Sequence, residues 1–247
     1  MLTLFLSALG IGIVWALWLL PRGQVRANYT AWMAATGFAV LGVLLGLRWV
    51  ESRTVDPWLA TAAAGILAYR LLIPLGSRAA LAGLTLASAL GAVCLGHLAA
   101  GLGGGVLALP SVALSALVLG TTLDAMVLGH WYLVQHGLSF EPLRRMSLAL
   151  LAVVGVRLLL AALWLFALGG WGRLLGPGPL AMDTTLFLLL RGLLGFVGPL
   201  GLGWMVWECV KLKSNTSATG ILYVICVFVL VGEFTAAWFW TSAGAWI

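Results

Sequence analysis

A 247-residue chain that is 63% hydrophobic and 8% charged, with a mean hydropathy of +1.12, cannot dress a soluble domain; such a domain carries roughly 25% charged residues. The net charge of +6 comes from basic residues scattered singly or in pairs between apolar stretches. That pattern excludes a nucleic-acid-binding patch and points to membrane topology. Cys94, Cys209 and Cys226 show no C-x-x-C, C-x-x-C-H or zinc spacing, so covalent haem, iron–sulfur clusters, a metal site and a disulfide framework are not expected.

Met1 to Leu20 lacks a basic leader and a small-residue cleavage site, and Arg22 and Arg26 follow the apolar run. It reads as a retained first helix. In chain order, hydropathy predicts spans at 3–20, 28–48, 58–74, 79–101, 110–136, 146–169, 183–207 and 218–243. Pro21, Glu51 to Pro57, Pro74 to Arg78, Gly103 to Pro110, Leu138 to Arg145, Trp171 to Pro179 and Lys211 to Ser217 supply the breaks. The third span is short, which suggests tilt, partial re-entry or fraying at Arg70. The expected fold is an all-α integral membrane protein: one transmembrane domain over 1–247, a polytopic bundle of eight helices.

The odd-numbered loops hold Arg22, Arg26, Arg78, Arg144, Arg145, Lys211 and Lys213; the even-numbered loops hold Arg48, Arg53 and Arg173. This bias puts the odd loops in the cytoplasm and both termini on the periplasmic side. Tryptophans at span ends, including Trp49, Trp58, Trp171, Trp207, Trp238 and Trp246, fit an interfacial aromatic belt. Gly42 and Gly46 form a G-x-x-x-G pair, and Gly192, Gly195, Gly198 and Gly201 recur every third residue, as in close helix packing. The first four spans show no convincing sequence repeat in the last four.

Seven ionisable side chains fall within or at the ends of the spans: Arg70, His97, Asp124, His130, Arg157, Arg191 and Glu233. A charge at the bilayer centre costs about 2.5–3.5 kcal/mol on insertion scales, so such groups pair or line a polar path. Counting rise along antiparallel spans pairs Asp124 with Arg157 and Arg191 with Glu233, and puts His97 in the same outer layer as the second pair. Ion pairs of this kind either fix helix register or mark a proton path or ligand lining. His97, Arg191 and Glu233 are therefore the first candidate quinone or proton site, where a carboxylate and an imidazole exchange protons with a quinol. His130, Trp131 and Tyr132, with His136 nearby, are a second candidate ligand site, or else a belt beside a basic loop. His97 lies towards one surface and His130 and His136 towards the other, and the latter two do not share a helix face, so a bis-histidine haem is not expected.

Eight spans with both termini outside, an acidic residue in the last span at Val231-Gly232-Glu233-Phe234, and His97 followed by the glycines from Gly101 to Gly105 resemble the haem-free quinol-handling anchors of the polysulfide and dimethyl sulfoxide reductase family. The resemblance implies electron transfer from a quinol to an iron–sulfur partner, with a quinone-site role for His97 and Glu233. The expected function is a membrane subunit of a respiratory-type electron-transfer complex in the bacterial cytoplasmic membrane. It would anchor redox partners, with quinone as the candidate cofactor and no catalytic residue of its own. A proton-coupled transporter and a purely structural subunit of a respiratory or photosynthetic assembly remain the alternatives.

Overall fold

The computed structural model describes residues 1–21, 24, 25, 27–103, 105–135, 139–167 and 182–243. Eight helices in it are long and apolar enough to cross a membrane, and no strand occurs among the described residues. They are α1 (Leu2–Ala16, continued by the 3-10 turn Leu17–Leu19), α2 (Ala27–Ser52), α3 (Pro57–Leu72, then Ile73–Leu75), α4 (Ser77–Gly101), α5 (Gly105–Val134), α6 (Glu141–Ala167), α7 (Met182–Gly192, Leu193–Val197 and Gly198–Lys211) and α8 (Asn215–Ala243). The chain is a multi-pass α-helical membrane protein. The face of the bundle at which α1 begins is hereafter the terminal face. Trp171, Arg173, Trp246, Arg22, Arg26 and His136 lie outside the described residues.

Local chemistry explains the boundaries. Asp56 caps α3, its carboxylate accepting from the Trp58 and Leu59 amides at 3.0 and 3.4 Å. Pro57 fills the first helical position, where its missing N–H costs nothing. The short third span is thus a regular helix, and Arg70 near its end is exposed. Gly76, at φ 109° and ψ 173°, makes the tight α3–α4 turn in a conformation only glycine adopts readily. Two helices start earlier than hydropathy indicates. α5 begins at Gly105 and includes Pro110, and α6 begins at Glu141 with Pro142 tolerated in its first turn. Arg144 and Arg145 therefore belong to α6, where both pair with Glu141, at 3.7 and 2.8 Å. Lys213 in the left-handed region ends α7, with the Ser214 amide bonding back to Cys209 and the Lys213 amide to Val210.

The packing reveals a symmetry that the sequence pattern did not. In each half, successive helices neighbour one another and the last returns to the first: α1 to α4 form one four-helix unit and α5 to α8 another. The halves join along α1 and α5, flanked by α4 on α5 and, in the matching place, α1 on α8. Buried positions coincide between α1 and α5: Leu4, Ser7, Ala8, Gly10 to Val14, Ala16, Leu17 and Leu20 match Val112, Ser115, Ala116, Val118 to Thr122, Asp124, Ala125 and Leu128. Tyr29, Met33, Ala34, Gly37, Leu41 and Leu44 of α2 match Pro142, Met146, Ser147, Leu150, Val154 and Arg157 of α6. In α4, Leu84, Ala87, Gly91, Leu95 and Ala99 match Leu222, Ile225, Val229, Glu233 and Ala237 of α8.

Short text agrees once the register is known. Leu6-Ser7-Ala8-Leu9-Gly10-Ile11-Gly12 parallels Leu114-Ser115-Ala116-Leu117-Val118-Leu119-Gly120, and Ala39-Val40-Leu41-Gly42-Val43 parallels Ala152-Val153-Val154-Gly155-Val156. The counterparts Gly12 and Gly120 meet at the seam: a Cβ on Gly120 would strike the Gly12 carbonyl, and one on Gly12 would strike the Ala116 backbone. Each unit has four helices in succession, so both begin at the same face of the bundle.

Candidate functional site

The second four-helix unit holds a buried polar cluster built around α7. Pro199 offers no N–H, and its ring would press on the carbonyl four residues back, that of Gly195. The helix answers with a π turn over Leu193–Val197, in which the Gly198 amide bonds to Leu193, one residue further back than in an α-helix. Wide turns of this kind recur at functional sites.

Glycines make the widened turn usable. A Cβ on Gly232 of α8 would collide with the backbone of Gly195, and one on Gly195 would sit 2.8 Å from Nη1 of Arg191. The missing side chains let α8 close on α7 and leave a groove along which Arg191 lies. Its guanidinium carbon is 4.2 Å from the centroid of the Phe196 ring, and its Nη1 donates to Oε1 of Glu233 at 2.8 Å. Ser115 of α5 donates its hydroxyl to the other carboxylate oxygen. Arg157 of α6 is near enough to feel the charges of both Glu233 and Arg191, and its guanidinium carbon lies 5.2 Å from the Trp240 ring centroid. Ser115, Arg157, Arg191 and Glu233 are each no more than 2% exposed.

Glu233 is thus held on both oxygens. Arg191 is not held on all its nitrogens: Nε and Nη2 are buried and have no hydrogen-bond partner among the described residues. A buried donor left in this state costs about 1–3 kcal/mol, and such a group asks for an acceptor. The two donors lie on one edge of the guanidinium, where a single oxygen acceptor can receive both.

The structure separates the other residues named from sequence. His97 does not join Arg191 and Glu233: it is exposed, its ring is 5.1 Å from that of Trp58, and it borders a surface hollow with Arg48 and Asp56. Its side of α4 turns it away from the pair and towards Trp58. His130, Trp131 and Tyr132 point three ways. His130 is exposed, with Nδ1 3.1 Å from the Tyr223 hydroxyl; Trp131 packs edge-on against Tyr29; Tyr132 donates to the Ser139 carbonyl and stacks on Phe140. Successive residues on a helix diverge by about 100°, so three in a row do not line one pocket.

The expected Asp124–Arg157 ion pair is absent as well. Neither carboxylate oxygen of Asp124 has a hydrogen-bond partner among the described residues. Asp124 faces the seam with the first unit, where the Tyr29 hydroxyl donates to its backbone carbonyl at 2.8 Å, while Arg157 faces Glu233 and Trp240. The level was misjudged as well as the face: from the end where α5 stops at Val134 and α6 starts at Glu141, Asp124 lies ten residues in and Arg157 sixteen, roughly 9 Å apart in rise.

Ser115 escaped the sequence reading, because a serine in an apolar helix satisfies itself readily on the backbone. The signal that would have found it is the repeated Leu-Ser-Ala-Leu text aligned at the level of Glu233. Among the described residues, no three His, Cys, Asp or Glu side chains gather as metal ligands. No family model, curated protein or solved structure matches this chain.

Proposed function

We propose that the protein is an integral subunit of an electron-transfer assembly in a bacterial cytoplasmic membrane, and that its second four-helix unit receives the head of a quinol beside Arg191 and Glu233. The observation that carries this reading is Arg191, buried, paired to Glu233 through Nη1 and with two further donors unfilled. A quinone carbonyl would accept from these nitrogens. Glu233, fixed by Arg191 and Ser115, would then be the acid–base group nearest the head, placed to take or return a proton as the quinol is oxidised or formed. The ring chemistry belongs to the quinone, and the electrons leave to a redox partner, since the sequence offers no redox motif of its own. The excess of arginine and lysine in the odd loops supports placing the face opposite the terminal face in the cytoplasm.

The internal repeat favours a second reading, transport, because many transporters are built from two repeats that rock about a shared site. The seam argues against that motion. Gly12, Ala116 and Gly120 bring α1 and α5 into backbone contact, and the polar cluster lies inside one unit instead of between the two.

Purification from the native membrane followed by solvent extraction tests the proposal. The expected result is co-purifying redox subunits and a bound quinone, with Glu233→Gln slowing quinol turnover. A protein isolated alone, without quinone, or turnover indifferent to Glu233→Gln, overturns it.

A further inference from the structure

Among the described residues, Asp124 is the one buried acid that the cluster does not use. It is 0% exposed, and both carboxylate oxygens are without a hydrogen-bond partner among the described residues. Its counterpart in the first unit is Ala16, so the packing of α1 on α5 does not call for an acid at this level. Among the described residues, the titratable groups within electrostatic reach of it are Tyr29 of α2 and Tyr69 of α3, with Tyr132 beyond Tyr29, and no cation is among these. An ionised carboxylate in such surroundings would cost several kcal/mol with nothing to offset it.

A route to water lies close by. Tyr69 and its neighbour Thr30 line a cavity of about 200 Å³ at the face opposite the terminal face, together with Leu17, Leu20, Val25 and Ser77. Asp124 is ten residues short of Val134, the end of α5 at that face, or roughly 15 Å. Tyr29 and Tyr69 occupy the ground between: Tyr29 hydrogen-bonds the Asp124 backbone, and Tyr69 faces both the acid and the cavity.

We propose that Asp124 is a proton-binding site of the inner half of the membrane: it stands as the neutral carboxylic acid and exchanges its proton with cytoplasmic water through the Thr30–Tyr69 cavity. The step is a proton transfer alone. The acid O–H bond breaks as a water oxygen takes the proton, and the carboxylate is reprotonated by the same path. Its cytoplasmic sidedness rests on the function proposed above; its chemistry does not.

The test is the infrared spectrum of the purified full-length protein at neutral pH. The expected result is a protonated-carboxyl band that is lost in Asp124→Asn, is kept in Glu233→Gln, and moves when H2O is exchanged for D2O. Tyr69→Phe should slow that movement. Asp124→Ala installs the residue that the first unit carries at this position, and serves where Asn disturbs folding. Absence of the band, or its survival in both Asp124 variants, overturns the proposal. A band that is lost with Asp124 but never exchanges shows a sealed acid and overturns the access route. Quinol turnover indifferent to Glu233→Gln would sink the electron-transfer reading and leave the band as it is, so the two failures are told apart.

Discussion

Set beside each other, the two four-helix units bury the same positions in different chemistry. Where the first has Ala16, Leu44 and Leu95, the second has Asp124, Arg157 and Glu233; Ser7 and Ser115 are the same residue with different work. Ser7 returns its hydroxyl to the Thr3 carbonyl of its own helix, whereas Ser115 spends its hydroxyl on Glu233. Arg191 sits in a stretch of α7 preceding Phe196, which corresponds in register to Leu59 near the start of α3, so it has no counterpart in the first unit. One sequence therefore contains its own control. The first unit shows that this arrangement of four helices closes with apolar side chains alone, so helix register is not what the charges of the second are for.

That contrast can be broken most sharply at Glu233. Glu233→Leu, which installs the residue of the first unit, should destabilise the protein by about 3–5 kcal/mol, because Arg191 is left buried without its carboxylate. Thermal unfolding in detergent reads the loss, and Arg191→Met added to Glu233→Leu should recover much of it. Additive losses in the double variant would mean that the two side chains do not act as a pair. The reverse graft, Leu44→Arg, puts a guanidinium where the first unit has no acid. It should cost about 2.5–3.5 kcal/mol, measured in the same way, and a tolerated arginine there would erase the distinction between the units.

Smaller effects sharpen the comparison. Ser115→Ala removes a hydrogen bond to a charged group, worth about 1.5–3 kcal/mol, while Ser7→Ala should change melting far less, since Ser7 bonds only within its own turn. Gly42→Ala, on a helix face with nothing within 4 Å, should stay within about 0.5 kcal/mol. A marked effect of Gly42→Ala on the assembled state would instead show another chain packed on that face.

Much of the architecture was legible in the amino-acid order. All eight spans were found, because a stretch long enough to cross lipid must be apolar nearly throughout, and because loops here are short and carry the polar residues. The starts of α5 and α6 were placed late: Pro142 sits in the first turn of α6, where proline is tolerated, and Pro110 lies inside α5, which continues past the hydrogen bond that proline removes. In the candidate site, depth was readable only in part and direction was not. Arg191 and Glu233 share a level and meet; Asp124 and Arg157 were expected at one level but lie roughly 9 Å apart in rise, because both helix starts were read late. Hydropathy fixes how far along a helix a side chain sits, but a span that is apolar all round gives weak notice of which side is inward. Trp131 shows the same limit: its packing on Tyr29, which hydrogen-bonds the backbone of Asp124, could not be foreseen from its place beside His130.

Order along the chain by itself determined that this protein has eight stretches long and apolar enough to cross a membrane and that a few ionisable groups lie within them, since the cost of polar groups in hydrocarbon acts on each segment separately. Only the tertiary structure decided which of those groups face one another, that the molecule is two matched units joined at Gly12 and Gly120, and that the charge lies within one of them. Those outcomes depend on the rotation of each helix about its axis, which is set by neighbours distant in sequence: a glycine admits an approaching backbone, a π turn swings Arg191 onto Glu233, and neither effect is written in the hydropathy of the span that carries it.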